Sequence, residues 1–318
     1  MTFHPDSLPD LTGKTYIVTG GTSGIGYYTV ARLAEHGAHV YLCARSEDKG
    51  QKAVESIQSL YARARLSVLV MDHHSLQSVA SAAEIFLSNE TELHGLVNNA
   101  GVMATPYKLT DNGYEDQWQT NYLAHWIFTS RLLPLLLETS KKLPAGSVRI
   151  VNVSSGSHMA APSVGINFSD TSLPNESAIV RYGQSKLANI LHAKTLNLLY
   201  GPGSSSAKAG NGEIWTTAVH PGMVFTSLRG RAVELPWFMK FLGPVIEATG
   251  GRWPADEGAW TSVYCVASPE LEASHSGGYF VRIAKPGMHF GKAKDMNLAE
   301  KLEKWTETEM KKHGFVSG

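Results

Sequence analysis

Cysteine is scarce in this chain. Its 318 residues include only two, Cys43 in an apolar predicted strand and Cys265 in a predicted helix. Neither belongs to a cluster with the spacing of a metal site. This scarcity opposes a disulfide-rich scaffold and a cysteine-based metal centre, so we expect two reduced thiols and no bound metal.

An excess of charge of one sign and long apolar runs are also lacking. The 28 Lys and Arg residues balance 28 Asp and Glu residues, and the formal net charge of zero opposes nucleic-acid binding. No run of ~18 apolar residues could span a bilayer. Residues 1–10 lack the basic and apolar regions of a signal peptide. We therefore expect a cytoplasmic protein with no nucleic-acid partner and no transmembrane segment.

The overall composition is typical of a globular protein, with 43% apolar and 18% charged residues. Strand and helix patterns alternate along the chain, which is typical of an α/β sheet. Residues 201–212 are rich in Gly, Ser and Ala, and we interpret them as a flexible surface loop because the alternation resumes afterwards. We expect a single domain over residues 1–318.

A glycine-rich turn lies between the first predicted strand and the first predicted helix. Residues 15–19 are apolar and rich in β-formers, residues 20–26 read GGTSGIG, and a helical stripe follows as far as Gly37. Backbone N–H groups at such a helix N-terminus can bind a pyrophosphate, and glycine allows it to approach closely. The pattern predicts a cofactor site; a plain tight turn is the alternative.

The end of the second predicted strand favours NADP over NAD. An NAD-binding unit usually places an acid there for the adenosine ribose. This chain has Ala44 followed by Arg45, a cation that can pair with a 2′-phosphate, and Lys49 is a second candidate contact. The alternative is an exposed arginine at a strand end.

Polar residues follow the next two predicted strands. Asp72 ends the strand at residues 67–71, where it could contact the adenine region or cap the helix that follows. The fourth predicted strand, residues 95–98, leads into the sequence NNAG at residues 98–101, which suits a backbone close to a ligand. A helix is expected over residues 118–137, with Asn121 near its start as a structural residue or a holder of water.

Tyr182 and Lys186 stand four residues apart in a predicted helix over residues 179–199, so they share one face. The positions of this helix that we expect to be buried are Leu187, Ile190, Leu191 and Leu198. An ammonium near a phenol lowers the phenol pKa and makes the tyrosine useful as an acid or base near neutral pH. A rim tyrosine beside a solvated lysine is the alternative. The fifth strand, residues 148–153, ends upstream at Ser154 and Ser155.

Two segments near the C-terminus complete the domain. Residues 223–254 are irregular and very apolar, and we expect a substrate lid; a core helix or a subunit contact is an equal alternative. Residues 285–318 form a C-terminal helical extension, with an amphipathic docking helix over residues 297–313.

Together these pieces resemble the short-chain dehydrogenase/reductase family. The matching residues are 19–26, 98–101, Asn121, Ser155, Tyr182 with Lys186, and 221–222. The sequence YGQSKLAN at residues 182–189, HPG at 220–222 and the extended C-terminus resemble the retinol-dehydrogenase-like branch, and the chain is also similar to reductases of fungal secondary metabolism. The resemblance implies a Rossmann fold, a doubly wound seven-stranded parallel sheet with helices on both faces.

The resemblance also implies catalytic roles. Tyr182 would protonate the carbonyl oxygen in reduction, and Lys186 would lower its pKa and contact the nicotinamide ribose. Ser155 would hydrogen-bond the substrate oxygen, and Asn121 would hold a water in the proton relay. The expected NADP(H)-binding residues are Gly20, Ser23, Ile25, Arg45, Lys49, Asp72, Asn99, Tyr182, Lys186, Val224 and Thr226.

The implied function is NADP-dependent hydride transfer to or from a carbonyl or secondary alcohol, on a bulky apolar small molecule and in secondary metabolism. The alternative is a catalytically silent NADP-binding regulatory protein, which the intact serine, tyrosine and lysine oppose. Double-bond reduction is opposed by the four-residue Tyr–Lys spacing. A homo-oligomer and peripheral membrane contact stay open.

Overall fold

The computed structural model describes residues 3–224, 253–288 and 291–316. Within them one sheet has the strand order β3-β2-β1-β4-β5-β6-β7-β8. The strands are β1 Thr15–Val18, β2 His39–Ala44, β3 Arg65–Val70, β4 Gly95–Asn98, β5 Arg149–Val153, β6 Trp215–Val219, β7 Tyr279–Val281 and β8 Lys285–Pro286. The first seven are parallel and β8 is antiparallel to β7. The predicted Rossmann fold is confirmed, with one short strand more than expected.

Helices connect the strands and extend the chain beyond them. They are α1 Gly24–Glu35, α2 Glu47–Leu60, α3 Leu76–Asn89, α4 Asp116–Trp118, α5 Ala124–Lys141, α6 Ala178–Tyr200, α7 Ser205–Lys208, α8 Ala255–Ala267 and α9 Met296–Lys312. A π-helical turn, Gln119–Leu123, joins α4 to α5, and 3-10 turns lie at Pro5–Ser7, Gly156–Ala160, Ala273–His275 and Gly291–Lys294.

Apolar clusters pack on both faces of the sheet. Ile17 and Tyr41 belong to one cluster, whereas Tyr16, Val18 and Val40 belong to the other. Successive strand residues point to opposite faces, so the clusters lie on opposite sides. The first cluster includes side chains from α3, α5, α6 and α9, and the second includes side chains from α1, α2 and α8. The central strands β1, β4, β5 and β6 are buried at every position because helices cover both faces.

The strand order places the site. Parallel strands bring their carboxyl ends to one edge, and the chain crosses from β3 to β4 on the other side of β1. Ligands bind in α/β sheets at such a switch point. The segments after β1, β2, β3, β4 and β5 therefore meet around one crevice.

The structure differs in detail from three local expectations. Residues 201–212 are not a plain loop, since they contain α7. The helix expected over residues 118–137 is interrupted by the π turn, which shifts the register of the residues after it. Leu198, expected to be buried on α6, is 62% exposed. The apolar spacing on α6 extends one turn beyond the part of the helix that α9 and the sheet cover.

The expected lid falls almost wholly outside the described residues. Its two ends lie together, because Trp253 N–H donates to Met223 O at 3.1 Å and Val224 pairs with Trp253 in a short parallel bridge. The C-terminal extension contains β8 and α9. In the described ranges, no helix has the length and apolarity to cross a membrane. The single-domain interpretation and a cytoplasmic location stay predictions.

Candidate active site

A cleft of about 900 Å³ opens at the carboxyl edge of the sheet. Its described walls bring together nearly all the predicted site residues, namely Gly20, Ser23, Ile25, Arg45, Lys49, Asp72, Asn99, Ser155, Tyr182, Lys186 and Val224. Asn121 lies behind the wall, and Thr226 lies outside the described residues. Residues as far apart in sequence as Gly20 and Val224 thus line one cavity.

The glycine turn shapes one wall for a bound phosphate. Gly20 has φ +65°, a conformation that disfavours other residues. A Cβ on Gly26 would lie 2.3 Å from Gly20 O, so only glycine permits the helix to pack against the turn. Helix α1 begins at Gly24, directly after the turn, and its first N–H groups have no intrahelical acceptor. This cradle fits a dinucleotide pyrophosphate.

The turn after β4 is tied to the end of β1. Asn99 Nδ2 donates to Thr19 O at 2.9 Å. The backbone N–H groups of Asn99 and Ala100 both donate to Thr19 Oγ1, at 2.8 and 2.9 Å. These bonds fix Asn99, Ala100 and Gly101 as a wall of the cleft.

The end of the cleft beside β2 is cationic. Arg45 and Lys49 line it, and so does Lys52, which the sequence reasoning missed. Lys49 and Lys52 are three residues apart on α2, so they share a helix face, and that spacing was the available signal. Asp72 is the only acidic residue in the described lining.

Asp72 does not cap the helix that follows it. Ser75 is the N-cap of α3, and its Oγ accepts from Ser78 N–H at 3.2 Å. Asp72 Oδ1 instead accepts from His74 N–H at 3.1 Å, which holds the carboxylate at the cleft. The capping alternative for Asp72 is therefore excluded.

The two serines after β5 have different environments. Ser154 is buried, and its Oγ donates to Lys186 O at 2.7 Å. Ser155 is less buried, its side chain interacts with that of Tyr182 and lowers the phenol pKa, and its Oγ accepts from Ser157 N–H at 3.1 Å. The geometry therefore places Ser155, rather than Ser154, beside the phenol.

Burial dominates the electrostatics of Tyr182 and Lys186. It raises the pKa of Tyr182 to about 12, against the opposing hydrogen bond with Ser155. It lowers the pKa of Lys186 to about 7. Lys186 Nζ donates to Val153 O at 2.9 Å and lies 5.8 Å from the Tyr182 ring centroid. The expectation that Lys186 lowers the pKa of Tyr182 stays a prediction, since burial and the interaction with Ser155 account for the shift of the phenol pKa.

The side chain of Asn121 is committed to the protein. Its Oδ1 accepts from Val102 N–H at 2.8 Å, and its Nδ2 donates to Val102 O at 3.0 Å and to Ser185 Oγ at 2.9 Å. These bonds favour the structural alternative for the Asn121 side chain. Its role as a holder of water stays a prediction.

A buried ion pair next to the tyrosine was not predicted from the sequence. Arg181 Nε and Glu115 Oε1 lie 3.2 Å apart, and the two side chains are only 4% and 1% exposed. Arg181 also donates to Glu176 O and Thr105 O, at 2.6 and 3.0 Å. A charged residue directly before Tyr182 was visible in the sequence, but its partner 66 positions away was not.

A family model described as short chain dehydrogenase matches residues 14–234. The chain belongs to the short-chain dehydrogenase/reductase family. It is therefore an oxidoreductase acting on CH–OH or C=O groups, and the family binds a nicotinamide cofactor. The cradle, the cationic end and the Ser–Tyr–Lys constellation of this short-chain dehydrogenase/reductase fit such a cofactor.

Relatives support both resemblances found in the sequence. A short-chain dehydrogenase/reductase of Aspergillus calidoustus, drtF, is 50% identical over 315 residues, 98% of each chain. Retinol dehydrogenase 11 of Mus musculus is 37% identical over 274 residues, which are 85% of this chain and 78% of that one. The predicted similarity to fungal reductases and to retinol dehydrogenases is confirmed.

Solved structures share the fold. A protein from Mycobacterium paratuberculosis has a TM-score of 0.72 at 26% identity, with 98% of both chains covered. A Beutenbergia cavernae structure, described as an NAD(P) dependent gluconate 5-dehydrogenase with bound NADP, has a TM-score of 0.62 at 22% identity and covers 86% of this chain and 96% of its own. In the part of the chain that is described, no group of three or more His, Cys, Asp or Glu residues could hold a metal ion.

Proposed function

We propose that this short-chain dehydrogenase/reductase uses NADP(H) to interconvert a carbonyl and a secondary alcohol on a bulky apolar small molecule. The cationic end of the cleft carries the proposal. Arg45, Lys49 and Lys52 line the place where an NAD-specific site would present an acid to the ribose. A 2′-phosphate there would gain charge-assisted hydrogen bonds.

The residues beside β5 and α6 would manage the substrate oxygen. The cofactor supplies or accepts the hydride. With a pKa of about 12, Tyr182 keeps its proton at neutral pH, the state in which it can protonate a carbonyl oxygen. Ser155 would hydrogen-bond the same oxygen and stabilise the developing charge. This protonation state favours the reductive direction.

The apolar part of the cleft wall supports an apolar substrate. Met103, Ile179, Met223 and Val224 line the same cavity as Tyr182. Apolar walls with few polar groups are typical of sites for hydrophobic small molecules. A place in secondary metabolism stays a prediction, as does a homo-oligomer.

Titration of nicotinamide fluorescence with NADPH and NADH tests the cofactor proposal. We expect Arg45→Asp to weaken NADPH binding about 10- to 100-fold, because a charge-assisted bond becomes a repulsion, and to leave NADH binding nearly unchanged. Arg63→Asp makes the same charge change at an exposed site outside the cleft wall and serves as the matched control. Equal binding of both cofactors by the wild-type protein would contradict the NADP preference.

The silent-regulator alternative receives no support from the geometry. Ser155, Tyr182 and Lys186 all line one cleft with the cofactor cradle. A regulator that bound NADP without turnover would keep cofactor binding and reduce no carbonyl compound. Oxidation of NADPH in the presence of apolar aldehydes and ketones therefore separates the two functions.

A further inference from the structure

The imidazole of His125 lies behind the cleft, where three chain segments meet. The side chain is 2% exposed and belongs to the first turn of α5. Its ring nitrogens contact Thr19 at the end of β1, His73 after β3, and Asn121 in the π turn. Nothing in the predicted chemistry uses this side chain.

The proton positions around His125 follow from its neighbours. Its Nδ1 lies 3.0 Å from Asn121 O. A carbonyl oxygen only accepts, so Nδ1 carries the proton and Nε2 holds the lone pair. Burial lowers the pKa of His125, which keeps the ring neutral and this tautomer in place.

Thr19 is then the donor to His125. Thr19 Oγ1 already accepts from the N–H groups of Asn99 and Ala100, and it lies 2.8 Å from His125 Nε2. Its hydroxyl proton therefore points to the imidazole; the alternative acceptor, Val97 O, is farther away at 3.5 Å. His73 Nε2 lies 3.2 Å from the same nitrogen, and it shares the one lone pair there with Thr19 if its tautomer carries the proton on Nε2.

Both ends of the cleft wall at residues 99–102 are bonded to residues that contact the His125 ring. Thr19 holds Asn99 and Ala100, and the Asn121 side chain holds the backbone of Val102 at both its N–H and its C=O. His125 holds Thr19 by one nitrogen and Asn121 by the other. All four residues from 99 to 102 line the cleft.

We propose that His125 is a positioning residue that fixes the wall at residues 99–102 for the cofactor. The expected effect on cofactor binding rests on the proposed use of NADP(H). The fixing of the wall by His125 does not depend on it. Without the imidazole, Thr19 and Asn121 lose their common partner. The wall keeps its own bonds to Thr19 and Asn121, but the end of β1 and the π turn are no longer joined through the ring, so the wall is held less rigidly.

Two substitutions of His125 distinguish the bond with Thr19 from the other bonds of the ring. His125→Leu removes the ring contacts with Thr19, His73 and Asn121 and leaves an apolar side chain. His125→Gln places a carboxamide oxygen where it can accept from Thr19. His36→Leu, at the half-buried C-cap of α1 and outside the cleft lining, is the control for loss of a histidine.

Amide hydrogen exchange measured by mass spectrometry tests the structural part without any cofactor. We expect His125→Leu to speed exchange in the peptide containing residues 99–102 about tenfold, the effect of losing one hydrogen bond, while exchange in β2 stays unchanged. His125→Gln should restore much of the protection. Unchanged exchange at residues 99–102 in His125→Leu, or equal exchange in the Leu and Gln variants, overturns the proposal.

Binding of NADPH tests whether His125 affects the affinity for the cofactor. We expect His125→Leu to weaken NADPH binding about tenfold and His125→Gln to weaken it less, whereas adenosine 2′,5′-bisphosphate, which reaches only the cationic end, binds nearly as before. Equal losses for both ligands would contradict a local effect on the wall. If the wild-type protein binds neither ligand but the exchange result holds, the NADP(H) proposal fails and the positioning role of His125 stands.

Discussion

Burial favours the neutral form of both Tyr182 and Lys186 in the candidate active site. It raises the pKa of Tyr182 to about 12 and lowers that of Lys186 to about 7. At neutral pH the phenol is therefore fully protonated and the amine only partly protonated. A group that donates a proton during turnover has to hold it beforehand, so these values suit Tyr182 as the acid in carbonyl reduction.

Removal of the Tyr182 hydroxyl should separate binding from chemistry. We expect Tyr182→Phe to reduce NADPH-dependent carbonyl reduction at least about 100-fold, because no other group replaces the proton donor. NADPH binding should change by less than about twofold, since one neutral hydroxyl is lost. Steady-state kinetics and a fluorescence titration measure the two effects, with Tyr61→Phe, at the C-cap of α2, as control. Full activity in Tyr182→Phe would contradict the assigned role.

Lys186 makes stability depend on pH. Its pKa is about 7 in the folded protein and about 10.5 in an unfolded chain, so between these values the unfolded state holds a proton that the folded state lacks. The free energy of unfolding then rises with pH through this window. Lys186→Met should remove the dependence, and Val153 O would keep its bond from Asn189 Nδ2.

Urea unfolding at two pH values measures this effect. Between about pH 7 and about pH 9.5 the wild-type protein should gain on the order of 3 kcal/mol more than Lys186→Met. The comparison stays below the range in which Tyr182 titrates. An identical pH dependence in both proteins would show that Lys186 does not titrate as its burial implies.

At the level of elements, α6 is anchored by the buried pair of Arg181 and Glu115. Glu115 is the N-cap of α4, where its Oε2 accepts from Trp118 N–H at 2.8 Å. The pair therefore connects the start of α6, one residue before Tyr182, to the start of the segment that carries Asn121. Two catalytic candidates from distant parts of the sequence share this anchor.

Breaking the ion pair of Arg181 and Glu115 should lower the free energy of unfolding. Arg181→Met leaves the Glu115 carboxylate buried without its partner, and we expect a loss of about 3 kcal/mol in the free energy of unfolding. The double variant Arg181→Met/Glu115→Gln should recover part of that loss, because the uncompensated charge is gone. Lys304→Met, which breaks an exposed pair with Glu300, should cost less than about 0.5 kcal/mol. A small loss in Arg181→Met would mean that water reaches Glu115.

The elements predicted well from the sequence are those with a strong local signal. β4 has the predicted bounds, and α1, α6 and α9 lie within one residue or two of their predicted ends. Caps, glycine and periodic apolar spacing define them locally. The π turn at Gln119–Leu123 and the strand β8 have no such signal, because tertiary contacts decide both.

The same distinction holds for the site. Motif residues such as Gly20, Asn99 and Tyr182 were predicted to come together, and they line one cleft. Their supporting partners were missed. His125 and Glu115 act through neighbours 106 and 66 positions away, and no spacing in the sequence joins those pairs.

For the whole molecule, α9 is part of the core rather than an appendage. Leu298, Leu302 and Met310 are buried among the side chains of one sheet face. Hydrogen bonds also hold α9 in place. Trp126 Nε1 donates to Glu303 Oε1 at 3.0 Å, and the hydroxyl oxygens of Tyr122 and Thr306 lie 2.7 Å apart. The C-terminal helix therefore stabilises both the π turn, which contains Tyr122, and α5, which carries His125.

Substitution of Leu302 measures how much the fold depends on this docking. Leu302 is 1% exposed and Leu198 is 62% exposed, so the same Leu→Ala change can be made at a buried and an open site. We expect Leu302→Ala to lower the free energy of unfolding by about 2–4 kcal/mol and Leu198→Ala by less than about 0.5 kcal/mol. Urea unfolding followed by circular dichroism should show one transition in both variants.

An early separate transition in Leu302→Ala would mean that α9 unfolds alone, and the cleft should then keep its NADPH affinity after α9 is lost. A single transition, with cofactor binding lost at the same urea concentration, would show that the helix and the cleft fold as one unit.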